Sequence, residues 1–400
     1  MARTEGRYPE VMTDRPRIPR DPARDYTREM AETRRRFAQD RAEVALDHVG
    51  HYSLDPSSLS GNVESFMGVA QVPIGLAGPL AVNGEHAQGD FLVPLATTEG
   101  TLVASYNRGM RILAESGGVR TTVVKTSMQR APVFLFDDAR AARDFGHWLD
   151  DHFDELAQVA ATTTRVGRLR EIEQFQTGAN LYTRFNFTTG DAAGQNMVGK
   201  ATLAACEHIR KKTGARYYLT GSFDTDKKHS FVNALLTRGR KVVAEAVLPR
   251  KVLEDRLGVT PEQLYEARMV HMVGGLMAGS AYNGAHAANG LTALFIATGQ
   301  DVANVAESHA GATVSKVLPS GDYYWSVTLP ALIVATYGGG TGLATQRECL
   351  ELMGCYGAGK ADKLAEICAA TVLAGDISLG GAVLAGDWVS SHERLGRNRP

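Results

Sequence analysis

The chain has 400 residues and a formal net charge of −1 at pH 7, from 43 Lys and Arg against 44 Asp and Glu. This length predicts two or three structural units with a sizeable core, and the balanced charge argues against a nucleic-acid-binding surface. The four cysteines show no CxxC spacing, which is typical of a reduced cytosolic protein without structural zinc. Because the N-terminal stretch has no apolar segment of the signal-peptide type, we expect a soluble, cytoplasmic protein.

The N-terminal part of the chain combines charged segments with short strands. Residues 1–24 are charged and contain several prolines, which indicates an extended arm, and residues 25–50 have a helical pattern. Strands broken by Pro-Gly turns follow over 61–80, then a short strand and a helix that begins after Glu99. We therefore treat residues 1–58 as a segment of their own.

A different pattern of predicted strands and helices begins near residue 119. The predicted elements are strands at 119–127 and 132–136, a helix at 137–159, a hairpin at 164–175 and 180–188, a helix at 193–212 and a strand at 215–223. They follow the β-α-β-β-α-β order of a ferredoxin-like fold. We interpret residues 131–218 as a small domain inserted into a larger one.

One long helix is predicted over Arg268–Asp301, where Gly, Ala and apolar residues dominate. So many glycines need packing on several sides, so we expect this helix to be buried in the middle of the large domain. Asn283, His286 and Asn289 interrupt the apolar run, which excludes a membrane span. Asn283 and Asp301 would share a face about five turns apart.

Several short segments could carry chemistry, although each has an ordinary explanation when taken alone. Gly190–Met197 (GDAAGQNM), at a strand-to-helix turn, could bind a phosphate or be a tight turn. No GxGxxG follows a predicted strand, which disfavours a Rossmann domain. Lys227 could be a solvated lysine and Glu99 a helix-capping carboxylate. The glycine cluster at 337–341 could be a flexible turn, and His392 lies in a polar tail.

Together, these motifs resemble in their order the catalytic portion of the 3-hydroxy-3-methylglutaryl-coenzyme A (HMG-CoA) reductase family, class I more closely than class II. The similarity runs from about residue 25 to the C-terminus. The segments that carry it are GNVESFMGVAQVPIGLAGPL, PLATTEGTLVASYNRG, LYTRFNFTTGDAAGQNM, DTDKKHSFVNAL, AEAVLPRKVL, GAHAANGLTALFIATGQD, YGGGT and AGDISLGGAVLAGDWVSSHE.

The resemblance and the element order imply an α+β fold. We expect a large α/β domain for substrate and CoA (59–130 and 219–400) around the long central helix. An inserted ferredoxin-like domain (131–218) would bind NADP(H), and a helical segment (1–58) would precede both.

The resemblance also implies an NADPH-dependent oxidoreductase that reduces HMG-CoA to mevalonate and CoA with two NADPH. The family's catalytic residues fall on Glu99, Lys227, Asp301 and His392. Lys227 would stabilise the oxyanion formed at the thioester carbonyl, and His392 would protonate the departing CoA thiolate. Glu99, in a dry site, would give a proton to the aldehyde oxygen, and Asp301 would couple to Lys227 and Glu99.

Binding residues carry over in the same way. The cofactor positions are Thr164, Arg165, Asp191, Gly194, Gln195, Asn196, Gly338, Gly339, Gly340 and Thr341. The substrate positions are Asn107, Arg108, Arg130, Thr220, Lys228, Lys251 and Asn289. Asn107 and Arg108 align with positions near the CoA phosphates, and Asn289 replaces Asn283 as the expected substrate contact. Arg165 would meet the 2′-phosphate, which favours NADPH over NADH.

Two departures from the family pattern leave alternatives open. Gly61 stands where class I members commonly have Glu, and Tyr337 where a small aliphatic residue is usual. The alternatives are a reductase of the same fold for another acyl-CoA, and a non-catalytic CoA- or nucleotide-binding homologue. The resemblance further implies a homodimer or dimer of dimers with shared active sites, no resident metal, no membrane anchor and no nucleic-acid partner.

Overall fold

The computed structural model describes residues 16–385, and the chain divides into two compact units between Gln71 and Val72. The N-terminal unit is built around α1 (Arg28–Ala42), with a short 3-10 helix at Pro56–Leu59. The Thr27 hydroxyl caps α1 by accepting the Met30 N–H. Glu43, in a left-handed conformation, ends α1 well before the predicted limit at residue 50, so that prediction was too long.

The second unit contains one continuous ten-stranded sheet. Its strands are β1 (Ile74–Gly84), β2 (Gln88–Ala96), β3 (Val119–Arg130), β4 (Val133–Leu135), β5 (Arg168–Thr177), β6 (Asn180–Thr188), β7 (Arg216–Tyr218), β8 (Gly239–Leu248), β9 (Ala312–Val317) and β10 (Tyr323–Leu332). The main path is β7-β4-β6-β3-β8-β10-β9. The long strand β3 joins two parts of this sheet, one formed by β4–β7 and the other by β1, β2 and β8–β10. Its last residues pair with β6, while its earlier part pairs with β8 and β1.

The helices of this unit pack on the sheet or line its loops. They are α2 (Leu102–Glu115), α3 (Ala139–Asp151), α4 (Phe153–Ala161), α5 (Gln195–Thr213), α6 (Phe231–Leu236), α7 (Arg250–Leu257), α8 (Pro261–Ala278), α9 (Ala287–Thr298), α10 (Val305–Ser308), α11 (Ala344–Leu352) and α12 (Ala361–Leu384). Short 3-10 turns lie at Val302–Asn304 and Gly339–Gly342.

The segment between β4 and β7 follows the predicted element order. β4, β5, β6 and β7 form an antiparallel arrangement in the order β7-β4-β6-β5. The one predicted helix at 137–159 is two helices, α3 and α4, which meet at His152. Their apolar faces and that of α5 cover a separate buried cluster that includes Phe134, Phe185 and Ile209.

The long central helix is α12, and the prediction that placed it at 268–301 was wrong. Most of α12 is buried in the main core, against α2, α9 and the sheet. Its length and apolar composition would allow a membrane crossing, but 78% of the relevant window is buried inside the protein, as in a core helix. Small residues permit this packing: a side chain at Gly109 of α2 would clash with the Ala374 backbone of α12.

The predicted helix at 268–301 is broken into α8 and α9. Gly279 ends α8 in a left-handed conformation, and an irregular segment follows until α9 begins at Ala287. α9 is buried as expected, whereas the second half of α8 is exposed. Asn283 lies in the break and exchanges hydrogen bonds with the Thr313 backbone (2.7 and 3.3 Å), so it is structural and shares no helix face with Asp301.

Candidate active site

Lys227 and Asp301 form an ion pair, with 2.7 Å between Lys227 Nζ and Asp301 Oδ2. Lys227 lies in the loop between β7 and α6, where its backbone is left-handed with φ 57°. Asp301 follows the Gly299 end of α9, and its other carboxylate oxygen caps the next turn by accepting the Ala303 N–H. Both side chains are about two-fifths exposed, so the ammonium is held by a carboxylate and remains open to a ligand.

Glu99 and Asn289 form the second pair of the site. The Asn289 amide donates to both carboxylate oxygens of Glu99, at 3.0 and 2.9 Å. Glu99 lies in the loop between β2 and α2, and Asn289 lies in the first turn of α9. The structure therefore places Asn289, a predicted substrate residue, against a predicted catalytic residue.

These two pairs lie at opposite ends of α9. Asn289 and Thr298 are nine residues apart in the helix, which corresponds to about 14 Å of rise. Among the described side chains, no hydrogen bond or ion pair links Glu99 to Lys227 or Asp301. The expected coupling of Asp301 to Lys227 is seen, and the expected coupling of Asp301 to Glu99 is not seen within one chain.

A buried charged network, which no sequence motif indicates, supports the Lys227 loop. Glu307 of α10 accepts the Lys227 N–H and a 2.7 Å bond from Arg238. Arg238 also donates to Asp226 at 3.0 Å. Burial raises the pKa of Glu307 to about 7, although Arg238 and the Lys227 N–H act in the opposite direction.

Three predicted substrate residues belong to the same region. Arg130 at the end of β3 contacts Asp224 (3.1 Å) and Asp226 (4.0 Å). Lys228 donates to the Asp226 carbonyl at 2.9 Å, and the Thr220 hydroxyl accepts the Ser222 N–H within the loop. Lys251 lies elsewhere, exposed on α7.

Asn107 and Arg108, the two positions expected near CoA phosphates, line a cleft of about 900 Å³. The cleft runs between β1, α2 and α7, and the other charged residues that line it are Arg111, Glu115, Asp255 and Arg256. Arg108 donates to the hydroxyl and carbonyl of Ser378 on α12 (3.0 and 2.9 Å), which anchors it at the floor. The structure thus places these two predicted residues in one cleft, whose lining has three arginines and two carboxylates.

The predicted 2′-phosphate residues lie beside the start of α5. Gly194 ends the preceding turn in a left-handed conformation, and no side chain caps the first turn of α5. Thr164 Oγ1 lies 2.9 Å from Met197 Sδ in that turn. Arg165 is exposed and forms no hydrogen bond or ion pair with the rest of residues 16–385. A helix N-terminus and an unpaired guanidinium are suited to a dinucleotide phosphate.

Asp191 contributes by holding two segments together. Its carboxylate accepts the N–H groups of Gly359, Lys360 and Ala361 at the start of α12 (2.8–3.2 Å). Its carbonyl accepts the Thr336 N–H at 2.9 Å, just before the second glycine cluster. The predicted cofactor loop and Gly338–Thr341 are therefore neighbours, joined by a residue whose carboxylate is already occupied.

The second glycine cluster packs against the end of α9. A Cβ on Gly299 would lie 2.3 Å from the Gly340 carbonyl oxygen, so this contact requires glycine. The Thr341 hydroxyl donates to the Gly338 carbonyl (2.7 Å) and closes the turn. Gly338 and Gly339 have open space where a side chain would lie, and Tyr337 is 67% exposed beside them. Predicted catalytic residue His392 lies outside the described residues.

Comparison with known proteins decides the family. The sequence model for hydroxymethylglutaryl-coenzyme A reductase matches residues 30–397. The chain belongs to this family. Similar relatives are the 3-hydroxy-3-methylglutaryl-coenzyme A reductases of Pyrococcus horikoshii and Methanothermobacter thermautotrophicus. The first is 46% identical over 376 residues, covering 92% of this chain and 91% of the relative. The second is 43% identical over 373 residues, covering 92% and 94%.

A solved structure supports the same fold. The class II HMG-CoA reductase from Streptococcus pneumoniae, bound to NADPH in open conformations, matches with a TM-score of 0.66 and 19% identity. The match covers 88% of this chain and 96% of that one. The predicted family and the α+β class of the fold are confirmed, and the chain is an oxidoreductase that acts on HMG-CoA.

Proposed function

We propose that this reductase converts HMG-CoA into mevalonate and CoA with two NADPH, as a step of the mevalonate pathway. Two hydrides and two protons enter: the thioester C–S bond breaks, CoA leaves as a thiol, and the carbonyl carbon becomes a primary alcohol. The Lys227–Asp301 ion pair carries the proposal, because it presents a fixed ammonium beside a carboxylate that keeps it oriented.

Lys227 stabilises the negative charge that develops on the substrate oxygen. An ammonium held at 2.7 Å from Asp301 does not need to reorganise when the oxyanion forms. Because both side chains are partly exposed, the substrate carbonyl can approach without breaking the ion pair.

Glu99 supplies the proton to the aldehyde oxygen in the second reduction, and Asn289 fixes its carboxylate for this step. This role needs a site shielded from water, whereas Glu99 is exposed in the single chain. Bound substrate and a second subunit supply that shielding. His392 protonates the CoA thiolate, as the family resemblance implies.

NADPH, when bound, supplies the hydrides. The residues present fit it: the uncapped start of α5, Arg165 for the 2′-phosphate, and the open Gly338–Gly339 turn. Asp191 holds the turn before α5 close to the Gly338–Gly339 turn. Because its carboxylate is already occupied, the cofactor phosphates would bind the backbone N–H groups of the turn before α5.

The domain assignment follows the same logic. The strand order β7-β4-β6-β5, covered by α3, α4 and α5, supports residues 131–218 as an inserted ferredoxin-like domain for NADP(H). Residues 59–130 and 219–400 bind substrate and CoA.

Since Glu99 and Lys227 lie at opposite ends of α9, a complete site requires a second chain, which favours a homodimer or dimer of dimers. We place the enzyme in the cytoplasm.

The test is to follow NADPH and NADH oxidation with HMG-CoA and to quantify mevalonate. We expect two NADPH oxidised per mevalonate and a much higher KM for NADH, which lacks the phosphate that Arg165 would bind. Tight binding of both ligands without oxidation would favour a non-catalytic homologue, and oxidation only with another acyl-CoA would favour a different substrate.

A further inference from the structure

The segment that follows α9 contacts Lys227 at two points. Asp301, at the start of this segment, binds the Lys227 ammonium. Glu307, six residues later, accepts the Lys227 backbone N–H. One short segment therefore fixes both the end of the side chain and the backbone from which it extends.

The Glu307 carboxylate is the centre of a buried network. Glu307 and Arg238 are 1% and 0% exposed, and their ion pair is 2.7 Å long. Arg238 continues to Asp226, the residue before Lys227, at 3.0 Å. Asn233 of α6 links the other Glu307 oxygen (3.4 Å) to the Asp224 carbonyl (3.2 Å). The loop is thus tied to Glu307 directly and through two intermediaries.

This arrangement explains how Lys227 keeps a left-handed backbone. A non-glycine residue at φ 57° is held there only when its surroundings compensate for the unfavourable conformation. The Glu307 carboxylate supplies a charge-assisted acceptor for the Lys227 N–H, which is a stronger anchor than a neutral one. If the hydrogen bond from the Lys227 N–H to Glu307 is lost, the loop can relax to another conformation in which Lys227 no longer meets Asp301.

We infer that Glu307 is a positioning residue for the reaction: through the Lys227 backbone and Arg238 it fixes the catalytic ammonium against Asp301. This inference rests on the role proposed above for Lys227. Glu307 itself touches neither substrate nor cofactor in this assignment.

The experiment compares Glu307→Gln with Glu366→Gln, both assayed well below their melting temperatures. Glu366 is a matched control, since it is also fully buried and accepts three backbone N–H groups, from the β1–β2 turn. We expect both variants to lose stability. Only Glu307→Gln should lose kcat, by roughly 10- to 100-fold, with the KM for HMG-CoA nearly unchanged, because a displaced catalytic group reduces turnover more than binding.

A double-mutant cycle with Lys227→Met tests the route of the effect. If Glu307 acts through Lys227, Glu307→Gln should cost nothing further in the Lys227→Met background. Should Glu307→Gln not fold, Glu307→Gln with Arg238→Gln removes both buried charges and leaves neither unpaired. That pair should show the same kcat loss.

Wild-type kcat in Glu307→Gln, or a loss that adds to that of Lys227→Met, would overturn the inference while leaving the proposed function intact. Wild-type kcat in Lys227→Met would instead refute the role of Lys227, and the role of Glu307 with it.

Discussion

Glu99 and Lys227 show how much of the chemistry depends on the partner of each charged side chain. Lys227 faces a carboxylate and Glu99 faces a neutral amide, so one group is held as an ion pair and the other as an acceptor of two N–H bonds. An amide orients a carboxylate without adding a charge of its own. These different partners are consistent with the roles proposed above, oxyanion stabilisation for Lys227 and proton transfer for Glu99.

Replacing Glu99 with Gln should separate the two halves of the reaction. Gln keeps the size and a hydrogen bond to Asn289 but cannot donate an acidic proton, so aldehyde reduction to mevalonate should fall at least about 100-fold. Mevalonate formation from HMG-CoA and from the free aldehyde are the measurements. Glu351→Gln, on α11 and paired with Arg347, is the control and should behave as wild type. Full activity in Glu99→Gln would show that another group gives the proton.

The residues that the sequence identified are those within recognisable motifs. Glu99, Lys227 and Asp301 lie in TTEG, DKK and GQD, and two of them meet as expected. Glu307 and Arg238 lie in stretches without a recognisable motif, and a charged side chain is normally predicted to be exposed. Only coordinates show that these two are buried against each other, because nothing in local spacing relates residues 69 positions apart.

At the scale of elements, the strand and helix order was predictable and the central helix was not. The sequence pattern and the turn residues locate β5, β6 and α5 to within a few residues. The run 268–301 has almost no polar face, so its pattern does not reveal where the helix breaks or which half is buried. Gly279, one glycine among many, is the residue at which α8 ends.

Asp191 and α12 provide the element-scale prediction. Asp191→Ala removes the acceptor for three N–H groups at the start of α12, which should cost about 0.5–2 kcal/mol of stability. It should also raise the KM for NADPH several-fold, because Asp191 links the two proposed cofactor segments. Asp138→Ala, which removes the N-cap of α3, is the matched control. It should lose similar stability in thermal unfolding and keep the wild-type KM. An unchanged KM for NADPH in Asp191→Ala would show that Asp191 caps α12 and has no effect on cofactor binding.

For the molecule as a whole, the relevant surface is the second half of α8. Its exposed apolar side chains are Met269, Val270, Met272, Val273, Leu276 and Met277, the last two 80% and 84% exposed. Large exposed apolar patches are typical of surfaces that contact another protein, a membrane or a ligand. The proposed function also needs a second copy of the chain to bring Glu99 and Lys227 into one site, so we expect the exposed face of α8 to contact that copy.

Charge placed on α8 should therefore separate the subunits and abolish activity together. With Leu276→Glu and Met277→Glu combined, light scattering after size exclusion should report a monomer, because two carboxylates cannot be buried in an apolar interface without large desolvation costs. Since α8 carries none of the proposed catalytic residues, activity should return in part at high protein concentration, as subunits reassociate. Leu352→Glu, on an isolated exposed leucine at the end of α11, is the control and should remain oligomeric and active. A monomeric double variant with full kcat would mean that one chain holds the complete site, and an oligomeric one would place the interface elsewhere.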